Sequence, residues 1–149
     1  MPPGKCWHEF EEGETYTSPW RNISESHFWR FADITRLNEP LFEDREFVTE
    51  DAGMDDWLVP GWLTSSCSIG LFLRSGWFHG TVLAILEVKR MAWDTPVIVG
   101  DEIRTNVEVV DKTETSSDRG GVVELSWRTE NRDGDAVMEM NSTHFIKKE

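Results

Sequence analysis

At 149 residues the chain is long enough to bury one hydrophobic core and too short for two. Its 28 acidic against 15 basic residues leave a formal charge of −13, which disfavours nucleic-acid backbones and anionic membrane surfaces alike. No run approaches the ~18 to 20 apolar residues of a bilayer span, and "MPPGKCWHEF" has no apolar signal core, so one cytoplasmic domain over residues 1–149 is expected.

The first element lies in "FEEGETYTSPWRNIS", where the Gly13 turn is followed by Thr15, Tyr16 and Thr17, a short strand that runs into a loop at Pro19. A helix follows with Ser24 as its N-cap and Ile23 packed on Phe28 as a hydrophobic staple. Phe28, Phe31, Ala32 and Thr35 keep helical spacing, and the helix should stop near Asn38, because Pro40 drives the residue before it out of helical geometry. The acidic segment "FVTEDAGMDDW" reads as exposed. Trp62 to Leu73 then holds small and apolar residues nearly all round, the mark of a buried helix.

From "TVLAILEVKRMAW" onward the period changes to that of strands. "VIVGDEI" carries a turn at Gly100 and Asp101, "IRTNVEVVDKTE" alternates apolar with polar residues, and two further strands flank "RDGD", whose Asp-Gly signals a hairpin. Leu125, Trp127 and Thr129 share one face of the first of these strands, and Val137, Glu139, Asn141 and Thr143 one face of the second. Arg104, Glu108, Glu124, Arg128 and Glu139 belong to a solvated face. The order is strand, helix, loop, buried helix, then a meander of about four antiparallel strands. One buried helix wrapped by one curved antiparallel sheet is a two-layer α+β solution, the hotdog fold.

Two cysteines, Cys6 and Cys67, make neither a disulfide framework nor a metal-ligand spacing, and no metal or other cofactor is expected. Of eight tryptophans, seven precede residue 94; packing explains an excess of this kind, and so does a subunit contact or a lined ligand slot.

Five segments in order, "FEEGETYTSP", "FADITRLNEPLFEDREF", "VPGWLTSSCSIGLF", "GTVLAILEVK" and "PVIVGDEIRTNVEVVDK", resemble the MaoC-like dehydratases, the hotdog family that includes the (R)-specific enoyl-CoA hydratases. The resemblance implies a catalytic loop reading Asp, any residue, Asn, Pro, any residue, His. Anchored on Pro40, it places Leu37 at the Asp position, Glu39 at the Asn position and Phe42 at the His position. A register slipped by one puts Arg36 at the Asp position and Asn38 at the Asn position, and the loss of both catalysts stands either way.

Adding water to an enoyl thioester needs a base for the water and an acid for the α-carbon, a pair that Leu37 and Phe42 cannot supply. Losing positioned acid–base help costs on the order of 10² to 10⁴ in rate per group. Glu39 and Asp44 are the nearest replacement carboxylates. The family also implies a thioester carbonyl held by backbone N–H groups at the start of the central helix, where Gly61 follows Pro60 and Trp62 lines the slot with Asn38 and Phe42. Lys89, Arg90 and Arg74 are the cations near the central elements for coenzyme A phosphates.

Three readings remain open. One is a degenerate acyl-CoA-binding subunit, as a homodimer or as a heterodimer with an active hotdog hydratase. Another is a hydratase or thioesterase that uses Glu39 or Asp44 on an unusual acyl-CoA. The last is a structural or regulatory domain without a thioester ligand.

Overall fold

The computed structural model describes residues 1–149. After a single helical turn at Trp7–Glu9 come two short strands, β1 (Thr15–Thr17) and β2 (Arg21–Asn22). Ser24 then caps α1 (Glu25–Thr35): His27 N–H donates to the Ser24 hydroxyl at 3.3 Å, and His27 Nδ1 accepts from Ser24 N–H at 3.1 Å. This is a capping box with an imidazole in place of the usual carboxylate. Ile23 and Phe28 are both fully buried. The helix closes at Thr35 rather than near Asn38, because Arg36 takes a left-handed backbone with φ 54°. Pro40 then starts a new turn, α2 (Pro40–Glu43), at a position where a missing N–H is no loss.

The acidic segment that follows is less free than its composition implies. One helical turn, Phe47–Asp51, anchors through Val48, which has no exposed surface. Trp57 stacks on Phe28 with ring centroids 6.0 Å apart, and the Arg45 guanidinium lies 3.9 Å from the Trp57 ring. Aromatic and cation–π contacts therefore tie this segment to α1.

The central helix, α3 (Gly61–Leu73), buries two flanks. Leu63, Cys67 and Leu71 pack with Ile23, Val59 and Ile103 on one side, and Phe72 packs with Val107, Trp127 and Met138 on the other. A third face is open, contrary to the expectation of burial all round: Trp62 is 61% exposed, and Ser66 and Leu73 also reach the surface.

Four long strands follow: β3 (Val82–Ala92), β4 (Glu102–Thr113), β5 (Gly120–Glu130) and β6 (Ala136–Lys147). The order across the sheet is β1-β4-β5-β6-β3, with β2 also on β4. The expected meander therefore holds for β4 to β6 only, and β3 lies at the far edge beside β6. Residues 93–101 carry the chain from one side of the sheet to the other, held midway by the Val59 N–H bond to Val97 O at 2.8 Å. This crossover lets the sheet curl round α3, giving the single hotdog domain of the α+β class.

Leu125, Trp127 and Thr129 are buried together, as alternation predicts. On β6 the expected grouping fails at its first member. Pairing slips between Thr129 and Glu130, so Val137 and Met138 are both buried. Alternation then resumes with Met140, Ser142, His144 and Ile146 inward and Glu139, Asn141 and Thr143 outward. On the outer face Arg104 and Arg128 pair with Glu130 at 2.6 and 2.7 Å. Burial alone would raise the Glu130 carboxyl, and the two arginines outweigh it and hold it below its ordinary range. No helix is long and apolar enough to cross a membrane.

Phe72 meets four rings, those of Tyr16, Trp77, Phe78 and Trp127, at centroid distances of 4.9 to 6.0 Å. Phe72→Ala is expected to cost about 3–5 kcal/mol, read as a lowered denaturant midpoint at unchanged slope.

Candidate functional site

At the start of α3 the chain leaves two backbone donors free. Leu63 and Thr64 N–H both turn back to Pro60 O, at 2.9 and 3.2 Å, and the N–H groups of Gly61 and Trp62 have no partner. Donors at a helix N-terminus favour a carbonyl oxygen or an anion in front of them. A cavity of about 210 Å³ lies there, lined by Gly61, Met54, Leu58, Pro96 and Val97, with Asp94 as its carboxylate.

Trp93 stands over this position. A methyl group built on Gly61 would fall 2.6 Å from the Trp93 ring, so only glycine admits the indole so close. The ring is fixed from two further directions: its Nε1–H donates to Ser65 Oγ at 3.0 Å, and Trp62 meets it edge-on at 5.1 Å. The Ser65 hydroxyl in turn points at Met91 Sδ, 3.5 Å away.

Beyond these contacts the same side of α3 opens again. Gly61, Ser65, Ile69 and Phe72 follow one helix face, and past Ile69 lies an apolar cavity of about 160 Å³ reaching Ile85 and Val88 of β3. At its wall Trp127 Nε1–H donates to Ser142 Oγ at 2.7 Å, and Ser142 lies 2.6 Å from His144 Nε2. The other ring nitrogen, His144 Nδ1, is buried without a partner. Burial lowers the His144 pKa from 6.5 to about 4.

The loop of expected catalytic positions holds its shape through its own hydrogen bonds. Leu37 and Phe42 are half-buried, while Asn38, Glu39 and Asp44 are exposed. Phe42 and Glu43 N–H donate to Glu39 O, and Asp44 Oδ1 accepts from Glu46 and Phe47 N–H at 3.0 and 3.2 Å. The Asp44 carboxylate is thus occupied in shaping a turn, and no hydrogen bond joins Asn38, Glu39, Phe42 or Asp44 to Gly61 or Trp62. Of the cations considered for phosphates, Lys89 lies 3.6 Å from Glu124, Arg90 lines the outer sheet face, and Arg74 caps α3 without an ion-pair partner.

The sequence profile of the MaoC-like domain matches residues 9–131. The chain belongs to the MaoC-like domain family. No curated protein matches it in sequence. Among solved structures, a monoamine oxidase regulatory protein from Archaeoglobus superposes with a TM-score of 0.89 at 24% identity, covering 99% of this chain and 97% of that one. The (R)-hydratase from A. caviae gives 0.75 at 20% identity, covering 91% and 96%. A Mycobacterium tuberculosis protein with a double hotdog fold gives 0.86 at 20%, covering 98% of this chain and 45% of that one. These likenesses are of fold. Beside Gly61 in this MaoC-like chain stand Trp93 and Asp94, which the sequence did not single out. The signal was "MAWDTP" at the end of a strand, a tryptophan counted only as part of an excess.

Two outcomes follow for this MaoC-like domain. Gly61→Ala should cost about 1–3 kcal/mol by overpacking against Trp93, and a double-mutant cycle with Trp93→Ala should show that cost relieved. Between pH 6.5 and about 4 the unfolded chain takes up a proton at His144 that the native state excludes, so stability falls as pH drops through that window and levels below it. The fall attributable to His144 is about 3 kcal/mol, read as the difference in urea midpoint between the wild type and His144→Asn.

Proposed function

We propose that this MaoC-like chain is a cytoplasmic acyl-thioester-binding subunit that has lost the acid–base pair for hydration and works beside a second hotdog domain. The observation that carries this reading is the catalytic loop itself. Leu37 and Phe42 stand where the resemblance implies Asp and His, both are half-buried, and neither can accept or donate a proton. Glu39 and Asp44 do not replace them, since Glu39 faces solvent and Asp44 is committed to its own turn.

Two features support thioester binding. The free N–H groups of Gly61 and Trp62 suit a carbonyl oxygen. The apolar cavity further along α3 matches in size one that holds a benzene-sized group (~150 Å³), so a short acyl tail fits it. Trp93 packs on the side of Gly61 where any other residue would carry a side chain. The partner is supported by the sheet edge. β3 exposes Ile85, Leu86 and Val88 at 57%, 56% and 43% along a strand with one unpaired side. A long apolar edge of this kind is a template for pairing, and the double hotdog neighbour carries two such units in one chain.

A second reading, thioester hydrolysis, is favoured by one observation: Asp94 is the carboxylate lining the cavity that Gly61 also lines, and a carboxylate is able to serve as a base for water. The test is a titration with crotonyl-CoA and a longer enoyl-CoA by tryptophan fluorescence, then hydration and hydrolysis assays on the same sample. Binding without turnover is expected, and Leu37→Asp with Phe42→His should raise hydration on the order of 10²-fold or more. Wild-type turnover abolished by Asp94→Asn would favour hydrolysis instead. Absence of binding would leave a structural domain.

A further inference from the structure

Thr64 lies in the first turn of α3 and is 1% exposed. Ser66 and Ser68 of the same helix each donate to the carbonyl four residues back, at 2.8 Å, whereas the Thr64 hydroxyl makes no hydrogen bond at all. It is not sealed in the core either, for the enclosed side-chain atoms that lack a partner are Trp57 Nε1 and His144 Nδ1. The space open to the Thr64 hydroxyl is the cavity of about 210 Å³ beside Gly61, which Thr64 helps to line.

Polar groups of different kinds therefore meet in one small space. Gly61 brings one of the unpartnered N–H donors at the start of α3. Asp94 brings a carboxylate that has no ion-pair partner. The Thr64 hydroxyl both donates and accepts. Around them Leu58, Val59, Val97 and Val137 supply an apolar wall. A carboxylate ligand would suit the helix end but be repelled by Asp94. An ammonium ligand would suit Asp94 but face the positive end of the helix dipole. A neutral group that accepts and donates satisfies both at once. A thioester accepts only, and it leaves Asp94 without a partner.

We infer that this cavity binds a small neutral carboxamide carried on an apolar body. Its carbonyl oxygen accepts from the free N–H groups at the start of α3, its NH₂ donates to Asp94, and the Thr64 hydroxyl is the further partner that fixes its orientation. The volume sets the size of the body. A cavity of roughly 150 Å³ holds benzene, so the somewhat larger one here holds a ring of that size with one carboxamide attached. The inference goes beyond the thioester reading and does not rest on it, since it needs only the cavity and its polar lining.

The test is calorimetric titration of the wild type, Thr64→Val and Asp94→Asn with benzamide, benzoate and benzylamine, and of the wild type with crotonyl-CoA. Benzamide should bind the wild type on the order of tenfold more tightly than either ion. Thr64→Val keeps the shape of the side chain and should weaken benzamide about three- to tenfold, the loss of one hydrogen bond. Asp94 is exposed, so Asp94→Asn should keep its melting temperature while benzamide weakens and benzoate, no longer repelled, binds more tightly than before. Absence of benzamide binding, benzoate binding more tightly than benzamide to the wild type, or benzamide affinity that ignores Asp94→Asn or a folded Thr64→Val would overturn the carboxamide site. Crotonyl-CoA binding without benzamide binding would do the same and leave the thioester reading standing. Benzamide binding that follows both substitutions, without crotonyl-CoA binding, would support the carboxamide site and remove the thioester reading.

Discussion

Ser68 lies at the middle of α3 with no exposed surface, and its hydroxyl must find partners inside the core. It donates to the Thr64 carbonyl at 2.8 Å and shares a 2.7 Å hydrogen bond with Thr129 of β5, whose hydroxyl lies 3.1 Å from that of Thr105 on β4. A buried hydroxyl left without a partner costs about 1–3 kcal/mol, so the helix is penalised for sliding or rotating against the two central strands. The apolar packing of Phe72 and Leu71 would tolerate such shifts far better. This short polar chain therefore sets the depth and rotation of α3, and with them the position of everything at its two ends.

The two ends have different chemistry as a result. At the N-terminus, the rotation that buries Thr64 and Ser65 brings Gly61 beneath Trp93, and the absence of a side chain at Gly61 is what allows the indole to lie on the helix. At the C-terminal half, the same rotation leaves Gly70 uncovered and sets Arg74 on the side of Arg21. Small residues act in both places, once to admit a neighbour and once to leave a gap. The apolar cavity lies between these ends, on the flank where α3 meets β3 and β6.

The loop from Leu37 to Asp44 has its own physical logic. A carboxylate and an imidazole at half-buried positions carry a desolvation cost, which a working enzyme offsets by the water and substrate between them. Leucine and phenylalanine at positions 37 and 42 remove that cost and leave the segment ordered by its own backbone hydrogen bonds. A loop without acid–base side chains at these two positions is therefore compatible with an intact fold. The acidic residues around it serve turns and solvation, as Asp44 does for Glu46 and Phe47.

Periodicity and turn chemistry made much of the architecture legible in the sequence alone: the Ser24 cap, the apolar central helix, the alternating strands β4 and β5, and the Asp-Gly hairpin each depend on residues within a few positions of one another. The order of five segments was equally visible, as was the absence of a proton-carrying side chain at positions 37 and 42. Contacts between distant residues were not. Nothing local says that β3 lies beside β6 rather than β4, that a one-residue slip near Val137 turns His144 into the core, that Trp93 packs on Gly61, or that Thr64 and Asp94 line one cavity. Each of these depends on how the sheet curls round α3, and that curvature is decided by packing and buried hydrogen bonds across the whole domain rather than by any stretch of chain.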